Sequence, residues 1–134
     1  MTKGFQWYPG AHAALERAFL GALTQTAGDI VSDVERRQVV PHAEGSRKEG
    51  HEAGRLASDV TVMPARSAAR GARIQWDAPF AAAAYFHPEW EFSRAVHGSA
   101  KGRWMDDYKE GGELAGFARE RYRRNLGIMG VLFK

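Results

Sequence analysis

The sequence predicts an α+β fold: a long N-terminal helix packed on a small antiparallel β-sheet, with short C-terminal helices. Three observations lead there. Apolar residues recur at spacings of three and four across 11–37, the period of a helix with one buried face. Two short stretches around 56–62 and 72–77 alternate apolar and polar residues, and the segment joining them is too short for a crossover helix, so they pair antiparallel. Beyond residue 77, Pro and Gly repeatedly break the chain into short helical pieces.

A length of 134 residues fits one domain, and folding should bury about two-thirds of the unfolded surface, enough for a core without staples. There is no cysteine, which excludes a disulfide scaffold and any Cys-based zinc or redox site. No apolar run approaches the roughly 18 residues of a membrane span, and the N-terminus lacks the apolar stretch of a signal peptide. The expectation is a soluble protein, assembled inside a cell and not bound to membrane. The net charge of +3 matches the +3 carried by residues 111–134 alone, which places the basic excess at the C-terminal end.

Residues 1–10 form an N-terminal arm with Phe5, Trp7, Tyr8 and Pro9. Such large side chains offset ordering entropy, whether the arm folds on its own domain or docks on a neighbour. Residues 11–126 are read as a single α+β domain. Its first helix carries Leu15, Phe19, Ala22, Leu23, Thr26, Ile30 and Val34 on one face, with Glu16, Arg17, Gln25, Asp29, Asp33 and Glu35 elsewhere. Gly21 and Gly28, seven apart, lie near one face, a spacing that could allow close approach of a strand or a second helix. Residues 41–54 are a polar, flexible loop. Its His42, His51, Glu44, Glu49 and Glu52 show no paired ligand spacing.

Leu56, Ser58, Val60 and Val62 alternate with Ala57, Asp59 and Thr61, predicting a first strand. Ala72, Ile74 and Trp76 predict a second. Asp77-Ala78-Pro79-Phe80 opens a short helix, which His87-Pro88 ends. Ser99 caps another, with Trp104 and Tyr108 at i, i+4. Residues 113–125 form a last helix with Arg119, Arg121, Arg123 and Arg124 outside and Gly127 as its stop. Residues 127–134 are an apolar C-terminal tail, read either as a last strand of the sheet or as an arm added to a partner.

No Gly-rich phosphate loop, Gly-x-Ser-x-Gly or His-Glu-x-x-His is present. His87, Glu89 and Glu91 share the vocabulary of a metal or acid–base site, and would fall on one side of an extended segment. Their spacing matches no zinc or iron motif, and Pro88 interrupts them. They read better as a polar rim around buried Tyr85, Phe86, Trp90 and Phe92. The arginines interleaved with Phe117 and Tyr122 suggest an alternative function, a nucleic-acid-binding module using the Arg-rich C-terminal helix.

One family resemblance emerges from this layout. A polar loop closing on Gly54-Arg55-Leu56 leads into a strand, then the corner Pro79-Phe80-Ala81. A Tyr/Phe/His cluster follows, then Ala100-Lys101 and Trp104-Met105-Asp106. This order resembles the small minor capsid, or neck, proteins of long-tailed non-contractile bacteriophages, over roughly 54–108. Gly102-Arg103 lies between Lys101 and the aromatic residue, where the family usually has none, and the Arg-rich helix and apolar tail go beyond the pattern.

The resemblance implies a structural virion protein of the phage neck, not an enzyme and without cofactor, metal or small-molecule substrate. It would assemble as a homo-oligomeric ring, hexamer or dodecamer, at the head–tail junction to complete or join the tail. Neighbouring head-completion and tail proteins would be its partners, with packaged DNA nearby. It would reside in the virion after assembly in the host cytoplasm. The expected structural anchors are Leu56, Ile74, Trp76, Phe80, Tyr85 and Trp104. The expected interface carriers are Trp7, Tyr8, Arg121, Arg124, Leu132 and Phe133.

Overall fold

A computed structural model describes residues 10–42, 54–92, 94 and 96–128. Helix α1 (Ala11–Arg37) has the extent that the apolar periodicity predicts. Gly10 precedes it in the left-handed region, and Gln38, at φ 55°, turns the chain out of the helix beyond Arg36 and Arg37. Both cations sit where the helix dipole favours them. The predicted stripe faces inward, with Ala22, Thr26 and Val34 buried. Asp33 departs from the expectation. It is only 7% exposed, for a reason given below. Among the described residues nothing lies within 4 Å of a Cβ built at Gly28, so the close approach that this glycine could allow is not made there.

A helical turn, α2 (Arg55–Ser58), replaces the first half of the predicted strand. Gly54 enters it at φ 75°, the Asp59 amide closes it on the Arg55 carbonyl, and Arg55 Nε donates to Asp59 Oδ2 at 2.9 Å. Leu56 and Val60 are four apart, a spacing that fits one helical turn as well as it fits strand alternation. Strand β1 (Val60–Met63) then pairs antiparallel with β2 (Arg73–Trp76), Val62 opposite Ile74 and Val60 opposite Trp76. The architecture is α+β, as predicted, with a sheet of two strands.

Helix α3 (Ala81–Phe86) begins two residues after Pro79 and ends at His87. The helix expected after Ser99 does not form. A 3-10 turn at Asp106–Tyr108 is the only regular piece described there. Tertiary acceptors take the backbone donors that a helix would use: the Lys101 amide donates to the Val39 carbonyl, and the Arg103 amide to the Tyr85 carbonyl, both at 2.9 Å. Arg103 lies at φ 47°, outside the right-handed helical region. Helix α4 (Ala115–Ile128) continues through Gly127, so this glycine does not stop it.

The core is one cluster, comprising Val34, Val39, Val40, Leu56, Ala78, Ala81, Ala84, Trp104 and Tyr108. Trp104 is 1% exposed, and the rings of Tyr85 and Trp76 stand edge-on to it at 4.9 Å and 5.6 Å, the geometry that aromatic quadrupoles prefer. Helix α1 packs mainly along α4 and also meets both strands. Asn125, buried on α4, donates to Thr26 Oγ1 at 3.1 Å and Asp29 Oδ2 at 2.9 Å, fixing the register of the two helices.

The 100–105 loop reaches the core because Gly102 has no side chain. A Cβ there would lie 2.8 Å from Pro88 Cα and 3.1 Å from the Ala84 carbonyl oxygen. We expect Gly102→Ala to lower unfolding free energy by about 1–2 kcal/mol, the cost of overpacking. A urea melt within roughly 0.5 kcal/mol of wild type would contradict this packing.

Candidate interaction surfaces

Of the predicted anchors, Leu56 and Trp104 are buried, while Trp76, Phe80 and Tyr85 are half-buried and pack on the core. Ile74 is half-buried on β2 and is not among the described residues packed on that cluster. Among the described residues β2 has one strand partner, β1, which gives its side chains few neighbours. Of the predicted interface carriers, Trp7, Tyr8, Leu132 and Phe133 lie outside the described residues, as do the arm and most of the tail.

The polar groups nearest the core form a clamp between α1 and the 101–108 segment. Tyr108 Oη donates to Asp33 Oδ2 at 2.6 Å and accepts from Arg37 at 3.2 Å. Arg37 also binds Asp107 Oδ2 at 3.0 Å, which Lys101 Nζ reaches at 2.6 Å. Arg36 completes the set at 2.6 Å from Asp33 Oδ1. This explains the burial of Asp33: its charge is shared among a phenol and two guanidinium groups, and a buried charge persists only when so paired.

Burial opposes ionisation of Asp33, but the bond from Tyr108 and the bond and charge of Arg36 outweigh it, so its pKa lies below the usual carboxylate value. The Lys101 bond, with that of Arg37, holds Asp107 low despite some burial. Burial and the bond to Asp33 push the Tyr108 phenol up to about 12. Each carboxylate faces cations that neutralise it, an arrangement suited to holding a loop in place. A second bond of the same kind, Tyr85 Oη to Asp106 Oδ1 at 2.7 Å, ties α3 to the 3-10 turn.

Two charged surfaces lie away from this clamp. On α4, Arg119, Arg123 and Arg124 are exposed and make no hydrogen bond or ion pair among the described residues. Arg121 differs from Arg124, with which it was grouped. It is half-buried, lies over the Phe117 ring at 5.2 Å and lines a shallow depression with Asp29 and Asp33. Phe117 and Tyr122 are half-buried, which leaves the three outer arginines without an exposed aromatic partner on the helix.

The second surface follows α3. Phe86 and Trp90 are 59% and 48% exposed, contrary to the buried placement their apolar character predicts. The His87 ring stacks flat on Trp90 at 4.3 Å, and its Nδ1 donates to Glu89 Oε1 at 2.7 Å. That bond holds the Glu89 carboxyl below its ordinary pKa. Glu91 is exposed beside it. Of the four aromatics expected beneath the polar rim, Tyr85 and Phe92 are half-buried and pack on the core, while Phe86 and Trp90 stand outside it. The buried positions of α3 are Ala81 and Ala84, and Phe86, two residues beyond Ala84, falls on another side of the helix.

A cleft of about 440 Å³ lies beside the C-terminal end of α1, lined by Val34, Val40, Val60 and Trp76 with Glu35 and His97 at its edge. His97 Nδ1 donates to the Val40 carbonyl at 2.7 Å, which fixes the tautomer. Among the described residues no cluster of three or more His, Asp or Glu is arranged to hold a metal ion, and no helix is long and apolar enough to cross a membrane. No protein-family model matches the chain, and no curated protein or solved structure does so either.

Proposed function

We propose that this chain is a structural virion protein of a long-tailed phage neck, assembling as a ring at the head–tail junction through shape and interfaces. The observation that carries the reading is the order of motifs from Gly54 to Asp107, which resembles the minor capsid and neck proteins of such phages. The same stretch supplies Leu56, Tyr85 and Trp104 to one packed hub, and its Lys101–Asp107 pair ties the final loop to α1 through Arg37. Exposed aromatic and arginine surfaces suit repeated subunit contacts.

Electron microscopy of the purified protein tests this reading, with labelling of the protein on phage particles. Closed rings, and label at the head–tail junction, are the expected results. Label elsewhere on the particle, or none, would remove the neck assignment.

One observation favours a second reading, nucleic-acid binding through α4: the three outer arginines have no partner among the described residues. Three phosphate contacts would give a log–log salt slope of about −3 on duplex DNA. Under the neck reading, replacing Arg119, Arg123 and Arg124 by Gln leaves DNA affinity weak and unchanged. Tight binding by the wild type that collapses in this variant would favour the second reading.

A further inference from the structure

We propose that the lobe carrying Phe86, Glu89, Trp90 and Glu91 docks head to tail on the arginine face of α4 of a second copy of this chain. This deepens the ring reading above and rests on it. The two surfaces complement each other in both charge and chemistry. The lobe offers two large exposed aromatic rings flanked by two carboxylates. Because His87 stacks on the Trp90 indole and is itself tied to Glu89, the ring is held in place while still 48% exposed. A ring ordered beforehand loses little entropy on docking. Glu91 has no hydrogen bond or ion pair among the described residues.

The α4 face offers what such a lobe needs. Arg119, Arg123 and Arg124 are exposed and unpaired among the described residues, and Ile128, 70% exposed, lies one turn beyond Arg124 on the same side. A guanidinium group can cover an aromatic face while its N–H groups reach a neighbouring carboxylate. The chain makes the first of these contacts internally, with Arg103 over Phe86 at 5.4 Å and Arg121 over Phe117 at 5.2 Å.

Nearby charges do not cancel the match. Arg103 also faces Asp106 at 3.7 Å, and Arg94 donates to the Ala100 carbonyl. Glu120, the one carboxylate within α4, is exposed and falls between Arg123 and Arg124 around the helix, where the three arginines outnumber it. Among the described residues no hydrogen bond, ion pair or ring contact joins the lobe to α4 of its own chain. Nucleic acid would use the arginines and leave Phe86, Trp90 and their flanking carboxylates uncovered. A second copy satisfies both surfaces together. Because the two patches differ, the contact is heterologous, and it closes into a ring if the rotation between neighbours permits.

Charge reversal tests the pairing. Sedimentation velocity would compare wild type, Glu89→Arg/Glu91→Arg, Arg123→Glu/Arg124→Glu, and an equimolar mixture of the two variants, up to the solubility limit. Wild type is expected to assemble and each variant to sediment as a monomer, since like charges then meet. The mixture is expected to reassemble, with the variants alternating, which misfolded variants could not do. If both variants assemble like wild type, or the mixture stays monomeric, this interface is overturned while the ring reading stands. A wild type that is monomeric throughout overturns both. Duplex DNA binding lost in Arg123→Glu/Arg124→Glu would then assign the α4 face to nucleic acid.

Discussion

Trp104→Ala is expected to lower unfolding free energy by about 3–5 kcal/mol, the cost of emptying a large aromatic site in a packed core. The melting temperature should fall on the order of 10–20 °C for a chain of this size. The indole is 1% exposed, packs edge-on against Tyr85 and Trp76, and belongs to the cluster that joins α1, α2, α3 and the 100–108 segment. One atom tempers its fit: the indole nitrogen is buried with no hydrogen-bond partner among the described residues. An unpaired buried donor costs about 1–3 kcal/mol. Trp104→Phe keeps a ring and removes that donor, so we expect it to stay within about 1–2 kcal/mol of wild type. Calorimetry of both variants decides the matter. Equal damage from Phe and Ala would show that the indole N–H has a partner that matters.

Asp33→Ala is expected to cost about 2–3 kcal/mol at neutral pH, because the Tyr108 hydroxyl loses its acceptor and Arg36 and Arg37 lose a buried counter-charge. Asp33→Asn retains an oxygen for Tyr108 and should cost less, but it removes the charge and hence a pH dependence. The Asp33 carboxyl titrates lower in the folded chain than its ordinary value of about 3.9. Its contribution is therefore complete above pH 4 or so and is lost as pH falls through the depressed folded pKa. Asp107 adds a loss in the same direction. The Tyr108 phenol, raised to about 12, contributes below its ordinary value near 10 and loses that contribution as pH rises through about 12. The stability difference between wild type and Asp33→Asn, from urea melts across pH, should shrink towards zero in acid. A difference independent of pH would refute the ionised clamp.

The elements that could be read from the chain are those whose signal is local. Helix α1 carries six apolar residues and Thr26 at helical spacing and a Gly at its entry, and its extent needs no tertiary information. Strand β2 alternates cleanly, and the short connection before it allows only an antiparallel partner. Among the predicted anchors, Leu56 and Trp104 are large, apolar and flanked by turn residues, and both are buried.

The misread segments are those whose local pattern has two solutions. Leu56 and Val60 satisfy a strand and a helical turn equally, and Gly54 with the Arg55–Asp59 pair selects the turn. After Ser99 the helical spacing of Trp104 and Tyr108 is real, yet the amides of Lys101 and Arg103 bond to carbonyls on distant segments, and no helix forms. Asp33 reads as surface because its partners Tyr108 and Arg37 lie 75 residues away in sequence and one turn along the helix.

The sequence by itself determined the fold class, the long first helix, the antiparallel strand pair and the basic character of the last helix. Each follows from residue spacing and composition within a single segment. Only the tertiary structure decided that Asp33 turns inward, that the 100–105 loop crosses α3 at Gly102, and that Phe86 and Trp90 face outward beside Glu89 and Glu91. These depend on which distant groups supply hydrogen bonds and volume, and local pattern carries no record of them.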